Sequence, residues 1–153
     1  MLDNIDLKVI RELMSNARSS WSQLGSLLNM SPPAAAERVH KLEISGVIKG
    51  YSAIIDPNMV GLGLTALIFI TIENPEGRAY FLQKTKTIPE ILECYHITGD
   101  ADYMVKIRCS NTNDLEKIIS NELKSIAGIK TKTMVVLSTV KEVSSLPVNV
   151  NVV

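Results

Sequence analysis

The chain has 153 residues, 46% of them hydrophobic, and its 16 basic side chains balance 16 acidic ones, which gives a formal net charge of zero. Such neutrality excludes a protein that coats DNA through bulk positive charge, and the length suits two small domains or one medium one. No apolar run approaches the length of a membrane span and no signal-peptide pattern opens the chain, so we expect a cytoplasmic protein without a membrane partner.

The first third of the chain predicts three short helices. Asp3 is a candidate N-cap for the first helix and Ser20 for the second, because their side-chain oxygens can accept from free N–H groups of the first turn. Ser31 can cap the third helix, and Pro32 follows where a missing N–H costs nothing. Gly46 is the expected C′ residue of the third helix.

The second and third helices, joined by a tight turn, form a helix-turn-helix pattern in which the third is the candidate recognition helix. Its exposed face carries Arg38 and Lys41, which can reach a guanine edge or a phosphate. Glu37 can accept from a cytosine amino group or pair with Lys41 at i+4, and we favour the pair. A helical hairpin with a solvated charged face is the alternative. The candidate DNA-binding residues are Ser20, Gln23, Ser31, Pro33, Ala34, Glu37, Arg38 and Lys41.

The segment with the helix-turn-helix pattern is as neutral as the whole chain, since residues 1–56 hold about six basic and about six acidic side chains. Non-specific DNA affinity should therefore be modest, and tight binding must come from placed contacts and multivalency. Beyond Gly46, residues 47–55 form a β-like run that predicts a wing or a linking strand.

The rest of the chain predicts a βαββαβ, ferredoxin-like domain that begins after a boundary near residues 56–63. Its predicted elements are a strand at Leu64–Ile72, a helix from Asn74-Pro75 to about Lys84, strands at Ile91–Thr98 and Tyr103–Cys109, a helix capped by Asn113 and stopped by Gly128, and a strand at Ile129–Val140. The fold class is therefore α+β.

Two of these strands do not alternate apolar and polar residues, namely residues 64–70 and 134–137. Strands of a sheet with one solvent-exposed face should alternate apolar and polar residues. Two helices can cover only one face of the sheet. A second copy of the same sheet is the simplest cover, so we predict a homodimer. Cys94 and Cys109 fall in neighbouring strands and are expected to be free, buried thiols, with a disulfide as the alternative. No catalytic or metal-ligand spacing appears, so no cofactor is predicted.

Two motifs carry a family resemblance that covers residues 2–142. The first runs Leu2-Asp-x-x-Asp6, Leu24-Gly-x-x-Leu28, Ser31-Pro, Arg38-Val-x-x-Leu42-Glu43 and Gly46-Val-Ile48, and the second is Thr98-Gly99-Asp100-Ala-Asp102-Tyr103. In this order and at this separation they resemble the Lrp/AsnC, or feast/famine, transcriptional regulators.

The resemblance implies a winged helix-turn-helix domain over residues 1–48, a linking strand and hinge over 49–63, a ferredoxin-like effector-binding and oligomerisation domain over 64–142, and a tail over 143–153. It also implies double-stranded DNA as a partner and dimers that assemble into octamers. An amino acid would bind between sensing domains. The matching effector-binding positions are Thr98, Gly99, Asp100, Asp102, Thr131 and Thr133.

The chemistry of that site suits an amino acid. Asp100 or Asp102 can pair with the ammonium, while backbone N–H groups at Gly99 and the threonine hydroxyls can bind the carboxylate. An ordinary hairpin turn is the alternative interpretation of Gly-Asp between two strands.

Two other functions are alternatives to an effector-modulated regulator. Some relatives of the family decarboxylate a haem precursor, a reaction that wants histidine and arginine around a large pocket, and His96 and Arg108 on neighbouring strands are the candidates, with His40 on the recognition helix. The other rival is a DNA-architectural protein without an effector. This rival shares the fold and the dimer. The small residues Ala34, Ala35 and Ala36 also make the recognition helix less basic than in many relatives, which favours recognition of DNA shape over base edges. We predict a regulator and not an enzyme.

Overall fold

The computed structural model describes residues 2–143 and 145–149. Two compact units are present: one contains the described residues up to Ile54 together with those from Lys141 onward, and the other is Ile55–Val140. The helices and strands are α1 (Asn4–Ser15), α2 (Trp21–Leu28), α3 (Pro32–Ile44), β1 (Leu64–Ile72), α4 (Pro75–Lys84), β2 (Ile91–His96), β3 (Tyr103–Cys109), α5 (Thr112–Lys117) and β4 (Ile129–Val135). Among the described residues, no helix is long and apolar enough to cross a membrane.

The helices of the first unit begin at the predicted caps. The side chains of Asp3, Ser20 and Ser31 accept from the backbone N–H three residues later in each case. Gly46 adopts the left-handed conformation predicted for it, with φ of 72°. Each helix contributes its apolar stripe to one buried cluster, and the predicted core face of α3 is confirmed; the cluster consists of Val9, Leu13, Leu24, Leu28, Ala35, Val39 and Leu42.

The turn between α2 and α3 is closed against Gly25. Asn29 takes the left-handed conformation, and the N–H of Met30 donates to the carbonyl oxygen of Gly25 over 2.9 Å. A β-carbon on the buried Gly25 would lie 2.7 Å from the Met30 carbonyl oxygen and 3.2 Å from the Pro32 nitrogen. The turn into α3 can therefore pack this closely on α2 only because residue 25 has no side chain.

The wing or linking strand predicted over residues 47–55 is absent from the structure, which describes this whole segment. A strand requires a partner ladder for its N–H and C=O groups, and β-prone composition alone cannot supply one. Ile54 is 87% exposed and Ile55 58%, so the segment also lacks an apolar surface to pack on. A short 3₁₀ turn at Pro57–Val60 then leads to β1.

The second unit has the predicted βαββαβ order. Its four strands are antiparallel neighbours in the order β2-β3-β1-β4, so that β1 and β3 are central. Helices α4 and α5 cover one face, and a π-helical turn at Ile118–Leu123 extends α5. The fully buried side chains under these helices are Ala66, Ile68, Ile70, Phe81, Val105, Ile107 and Leu123.

The face of the sheet turned away from the helices, here called the open face, explains why β1 does not alternate. Leu67 and Phe69 point to it, because Ala66, Ile68 and Ile70 between and beside them are fully buried on the helix side. Across the sheet, Phe69 faces Met104 of β3, and Leu67 faces Met134 of β4. The open face thus has an apolar centre in which Leu67 and Phe69 are only partly buried.

Several predicted bounds differ from those observed. Helix α5 begins two residues early, because the side chain of Asn111, not Asn113, accepts from the N–H of Asp114. Strand β4 stops at Val135, opposite Ala66, and the N–H of Val136 still donates to the Thr65 carbonyl oxygen over 2.9 Å. A strand that reached Val140 would run past Leu64, where β1 begins, and would lack a partner there. The tail forms no strand over residues 145–149, while residues 144 and 150–153 lie outside the described residues.

The two cysteines lie in adjacent strands, as predicted, and both are free. Cys109 is buried, but Cys94 is exposed, so the expectation of two buried thiols was wrong for Cys94. The reason is that Cys94 belongs to β2, an edge strand whose outer flank has no neighbour in the sheet.

Candidate functional site

The outer face of α3 borders a groove of about 620 Å³ within the first unit. Four of the predicted DNA-binding residues share this groove, namely Ala34, Glu37, Arg38 and Lys41. Pro33 and Ala34 lie exposed in the first turn of the helix, where small side chains leave the backbone accessible. The structure therefore assembles most of the predicted recognition face on one helix.

Glu37 and Lys41 form the ion pair that the i+4 spacing predicts. Lys41 Nζ lies 2.8 Å from Glu37 Oε1, and the side chains are 72% and 67% exposed. The Lys41 ammonium, by hydrogen bonding first and charge second, lowers the pKa of Glu37. An exposed pair of this kind contributes little to stability and opens readily, so both side chains remain available to a ligand.

Arg38 is placed differently from the expectation of a side chain free to reach DNA. Its Nη1 donates to Asp3 Oδ2 over 2.7 Å and to Asp6 Oδ1 over 2.6 Å, which ties α3 to the beginning of α1. These two carboxylates, Asp6 first, raise the pKa of the Arg38 guanidinium. Asp3 and Asp6 both stand in the quoted motif, but the sequence alone predicts a role only for Asp3, as an N-cap. The i+3 spacing of the two acids was the available signal for their shared contact.

Ser20, Gln23 and Ser31 are used in helix capping. The Ser20 hydroxyl accepts from the N–H of Gln23 over 3.2 Å, and the Gln23 side-chain oxygen accepts from the N–H of Ser20 over 2.7 Å. The Ser31 hydroxyl accepts from the N–H of Ala34 over 3.4 Å. These side chains begin the two helices of the motif, and each hydroxyl still has its own proton to donate to a phosphate.

The contacts of Asp3 predict an acid-sensitive first unit. The N–H of Asp6, followed by Arg38, lowers the pKa of Asp3 below its ordinary value of 3.8. The folded state then binds fewer protons than the unfolded state, so this stabilisation is complete above pH 3.8 and is lost as the pH falls through the lower folded pKa. In Arg38→Gln the backbone donor remains but the guanidinium is gone, so we expect a shallower loss of stability in acid than in the wild type.

The measurement is urea unfolding at a series of acidic pH values, followed by tryptophan fluorescence. Trp21 is the one tryptophan of the sequence and begins α2, so its emission reports on the first unit. Parallel pH profiles for wild type and Arg38→Gln would contradict the assigned role of the guanidinium.

The predicted effector turn joins β2 to β3. Thr98, Gly99 and Asp100 are exposed there, and Gly99 has φ of 119°, a conformation that favours glycine. The Asp100 side chain makes no hydrogen bond or ion pair with another described residue, and only its carbonyl oxygen accepts, from the Thr71 hydroxyl at 3.4 Å. Asp100 is therefore the available carboxylate of this turn.

Asp102 is hydrogen-bonded within the sheet through both its side chain and its backbone. Its Oδ2 accepts from the N–H of Ile72 over 2.7 Å, and its backbone N–H donates to Ile70 over 2.9 Å. Its carbonyl oxygen accepts from Ile97 over 2.9 Å. Asp102 thus holds the turn to the end of β1, and its carboxylate is a poorer candidate for a ligand ammonium than that of Asp100.

The same end of β1 is also bonded to the beginning of β4. The N–H of Glu73 donates to the Gly128 carbonyl oxygen over 2.9 Å, and the Asn74 amide donates to that of Ala127 over 3.4 Å. Asn74 also accepts from the N–H of Gly77 over 2.6 Å as the N-cap of α4. A continuous set of hydrogen bonds therefore connects the 98–102 turn with the loop that starts β4.

Thr131 and Thr133 lie on β4, opposite Ile70 and Ile68 of β1. Both are half-buried on the helix side of the sheet. Strand β1 separates them from Tyr103 at the start of β3, which places them two strand spacings, roughly 10 Å, from the end of the turn. Within one chain the threonines and Asp100 therefore share an end of the sheet without forming one enclosed pocket.

The structure separates the residues considered for decarboxylation. His96 stacks on Tyr103 at 4.8 Å on the helix side, whereas Arg108 pairs with Thr65 and points to the open face. Because alternate residues of β3 face opposite sides, the expected proximity of His96 and Arg108 was wrong. His40 is exposed on α3, in the other unit, with Nδ1 3.6 Å from Glu43.

Both parts of the chain match models of known protein families. The family model of the AsnC-type helix-turn-helix domain matches residues 2–43, and that of the Lrp/AsnC ligand binding domain matches residues 65–146. The HTH-type transcriptional regulator FL11 of Pyrococcus horikoshii is 36% identical over 148 residues, which cover 96% of this chain and 97% of that protein.

Two solved structures with a fold similar to this chain were determined with L-methionine bound. A transcriptional regulator from Neisseria meningitidis, in complex with L-methionine, is 30% identical, with a TM-score of 0.92 over 97% of this chain and 98% of that chain. A feast or famine regulatory protein from M. tuberculosis, complexed with L-methionine, is 30% identical, with a TM-score of 0.85 over 95% and 99% of the two chains.

Proposed function

Since the chain belongs to the Lrp/AsnC family of transcriptional regulators, we propose that it reads double-stranded DNA with α3 and that an amino acid at the 98–102 turn modulates this reading. The observation that carries the proposal is the α2-turn-α3 arrangement, with Pro33, Ala34, Glu37 and Lys41 exposed along one face. Residues 2–48 would be the DNA-binding segment and residues 64–142 the sensing segment. Such a regulator acts in the compartment that holds the DNA.

Recognition by this helix would depend on close approach more than on charge. Pro33 and Ala34 let the first turn come near base edges, and the hydroxyls of Ser20 and Ser31 stand at helix starts, where phosphates bind readily. Lys41 is paired with Glu37, so the face carries little net charge. We therefore expect sequence preference to include DNA shape and deformability.

We also propose that the chain self-associates through the open face. The central strands β1 and β3 present Leu67, Phe69 and Met104 there, and a two-fold related copy would cover them with the same residues. Lys106 at the border of this apolar centre is paired with Glu93 over 3.3 Å, which reduces the charge that would be buried. Two linked reading units gain affinity through effective concentration, which a neutral monomer needs.

Methionine is the first effector to test, because two relatives of known structure were solved with it. We propose that Asp100 accepts the ligand ammonium and that the N–H groups around Gly99 bind its carboxylate. Thr131 and Thr133 would contribute hydroxyls from a neighbouring copy, because within one chain β1 lies between them and the turn. An octamer built from dimers is the assembly that the resemblance implies.

The experiment is a selection of duplexes from a random library by the wild-type chain, followed by fluorescence anisotropy at several salt concentrations. We expect a selected duplex to bind at least a hundredfold more tightly than a scrambled one. Equal binding to both, whatever the salt concentration, would contradict a sequence-reading regulator. Affinity that responds to none of the twenty amino acids would instead favour the effector-independent architectural protein.

Asp100→Asn tests the effector site. At a methionine concentration about a hundred times its Kd, the wild type should gain roughly 5 °C in Tm. The variant should lose most of this gain, because a neutral amide cannot form the ion pair with the ligand ammonium, while its Tm without ligand stays the same. Asp102→Ala is the matched comparison, and it should lower the Tm without ligand, because it removes the acceptor for Ile72. An undiminished shift in Asp100→Asn would remove Asp100 from the site.

Enzymatic decarboxylation is not favoured. It calls for histidine and arginine around one substrate, and His96 and Arg108 lie on opposite faces of the sheet. Addition of a tetrapyrrole substrate without any spectral change would agree with the regulator assignment.

A further inference from the structure

Arg38 joins two helices through a single nitrogen. Nη1 lies 2.7 Å from Asp3 Oδ2 and 2.6 Å from Asp6 Oδ1, and the Arg38 side chain is only 29% exposed although it belongs to the recognition helix. Asp6 is more buried still, at 14%. We call Asp3, Asp6 and Arg38 together the α1–α3 clamp.

The two carboxylates of the clamp are also hydrogen-bonded within α1 itself. Asp3 Oδ1 accepts from the N–H of Asp6 over 2.7 Å, and Asp6 Oδ2 accepts from the N–H of Asp3 over 2.9 Å. Each carboxylate thus spends one oxygen on the reciprocal cap of α1 and presents the other to Arg38. The backbone of α1 holds the two carboxylates in fixed positions and orients their remaining oxygens toward Arg38.

This contact constrains α3 in a way that the apolar core cannot. The packing of Val39 and Leu42 against α1 is favourable but non-directional, so it tolerates small rotations and shifts of α3. A charge-assisted double hydrogen bond is directional, and it is made one residue from Glu37 and Val39 in mid-helix. Such a contact can fix the direction in which Ala34, Glu37 and Lys41 point.

The charges argue against a direct role for Arg38 on DNA. The clamp contains two carboxylates and one guanidinium, a net charge of −1, so a phosphate brought to Arg38 would also meet Asp3 and Asp6. Withdrawal of Arg38 toward DNA would leave the half-buried Asp6 without its cation, which is costly.

We propose that Arg38 is a positioning residue: it sets the orientation of the recognition helix through Asp3 and Asp6 and does not contact DNA. The inference rests on the proposed DNA-binding function and deepens it, because it assigns the reading to the neighbouring side chains. It makes the two aspartates at the beginning of α1 part of the DNA-reading apparatus, although they lie on another helix.

The test is a double-mutant cycle of Arg38→Gln and Asp6→Asn, measured as affinity for a selected duplex at several salt concentrations. Asparagine at position 6 can still accept from Asp3, so the cap survives while the charge is lost. Lys41→Gln is the matched control, since Lys41 is a basic residue of the same helix but 72% exposed. All affinities are measured at a temperature where circular dichroism shows each variant fully folded.

If the clamp positions α3, each single variant should bind about tenfold more weakly, the double variant should be no weaker than either, and the salt slope should stay unchanged. Lys41→Gln, by contrast, should reduce the slope by about one if Lys41 touches a phosphate.

If Arg38 instead contacts DNA directly, the DNA affinity of one variant should change in the opposite direction. Asp6→Asn would then release Arg38 and remove a negative charge, so binding would tighten, and Arg38→Gln would lower the salt slope. Either result overturns the proposal, and so does a folded Arg38→Gln that binds like the wild type, since the clamp would then serve stability alone. If the wild-type chain selects no duplex at all, it is the proposed function that fails, and the clamp then has no DNA-reading role.

Discussion

Phe69→Glu should yield a folded monomer that has lost most of its affinity for DNA. Phe69 lies at the centre of the open face, on the central strand β1, where a two-fold related copy would bury it. A carboxylate desolvated there without a partner costs several kcal/mol, so we expect dimerisation to weaken by roughly a thousandfold or more. Within the monomer the substitution is mild, because this side of the sheet is not the helix-covered core.

The effect on DNA follows from the loss of paired reading units. Two linked helix-turn-helix units gain about a hundredfold or more in affinity over one, and this gain should disappear in Phe69→Glu. Sedimentation velocity gives the assembly state, and anisotropy on a selected duplex gives the affinity of the same sample.

Leu82→Glu is the control for added charge. Leu82 belongs to α4, on the opposite side of the sheet, and is 37% exposed, so a carboxylate there stays in water. This variant should assemble and bind DNA like the wild type. A wild-type chain that sediments as a monomer at micromolar concentration, or a Phe69→Glu protein that remains dimeric, would show that the open face is not the interface.

Gly25→Ala should unfold or displace the helix-turn-helix while leaving the sheet intact. Its new β-carbon would lie 2.7 Å from the Met30 carbonyl oxygen, and backbone atoms of a tight turn cannot move aside as a flexible side chain can. We expect a loss of about 3 kcal/mol from the first unit, at the upper end for overpacking, and a fall in DNA affinity beyond detection if α3 shifts.

Ser26→Ala is the neighbouring control, because Ser26 is exposed on the same helix. Trp21 fluorescence would report the first unit, and the methionine-induced rise in Tm would report whether the second unit still binds its ligand. Gly25→Ala with wild-type stability and affinity would mean that the turn is more compliant than the Gly25 to Met30 distance implies.

The helices were predictable wherever local chemistry decides their ends. Asp3, Ser20, Ser31 and Asn74 cap the helices that their positions predicted, because a side-chain acceptor near a free N–H acts over three residues. The strands were predictable in kind but less so in length. Strand β4 ends opposite Ala66, close to the start of β1, and such a limit depends on a partner strand far away in the chain, which no local pattern encodes.

The residues of the site were harder to assign than the fold. The positions of Glu37 and Lys41 followed from helical spacing alone, whereas the role of Arg38 depends on a carboxylate 32 residues earlier in the chain. Asp100 and Asp102 look equivalent in sequence, but of their two carboxylates only that of Asp102 accepts from β1. Gly25 carried a recognisable signal, a glycine inside a predicted helix, and its cause became clear only from the Met30 carbonyl oxygen beside it.

Ile72, Glu73 and Asn74 are three successive residues, and they bond in turn to Asp102, Gly128 and Ala127. Two surface loops that are about 25 residues apart in the chain are thereby fastened to one short piece of backbone. The amide hydrogens of Ile72 and Glu73 should consequently exchange with solvent at the slow pace of the sheet, not at the pace of the loops around them. A molecule that settles on either loop would change the protection of both.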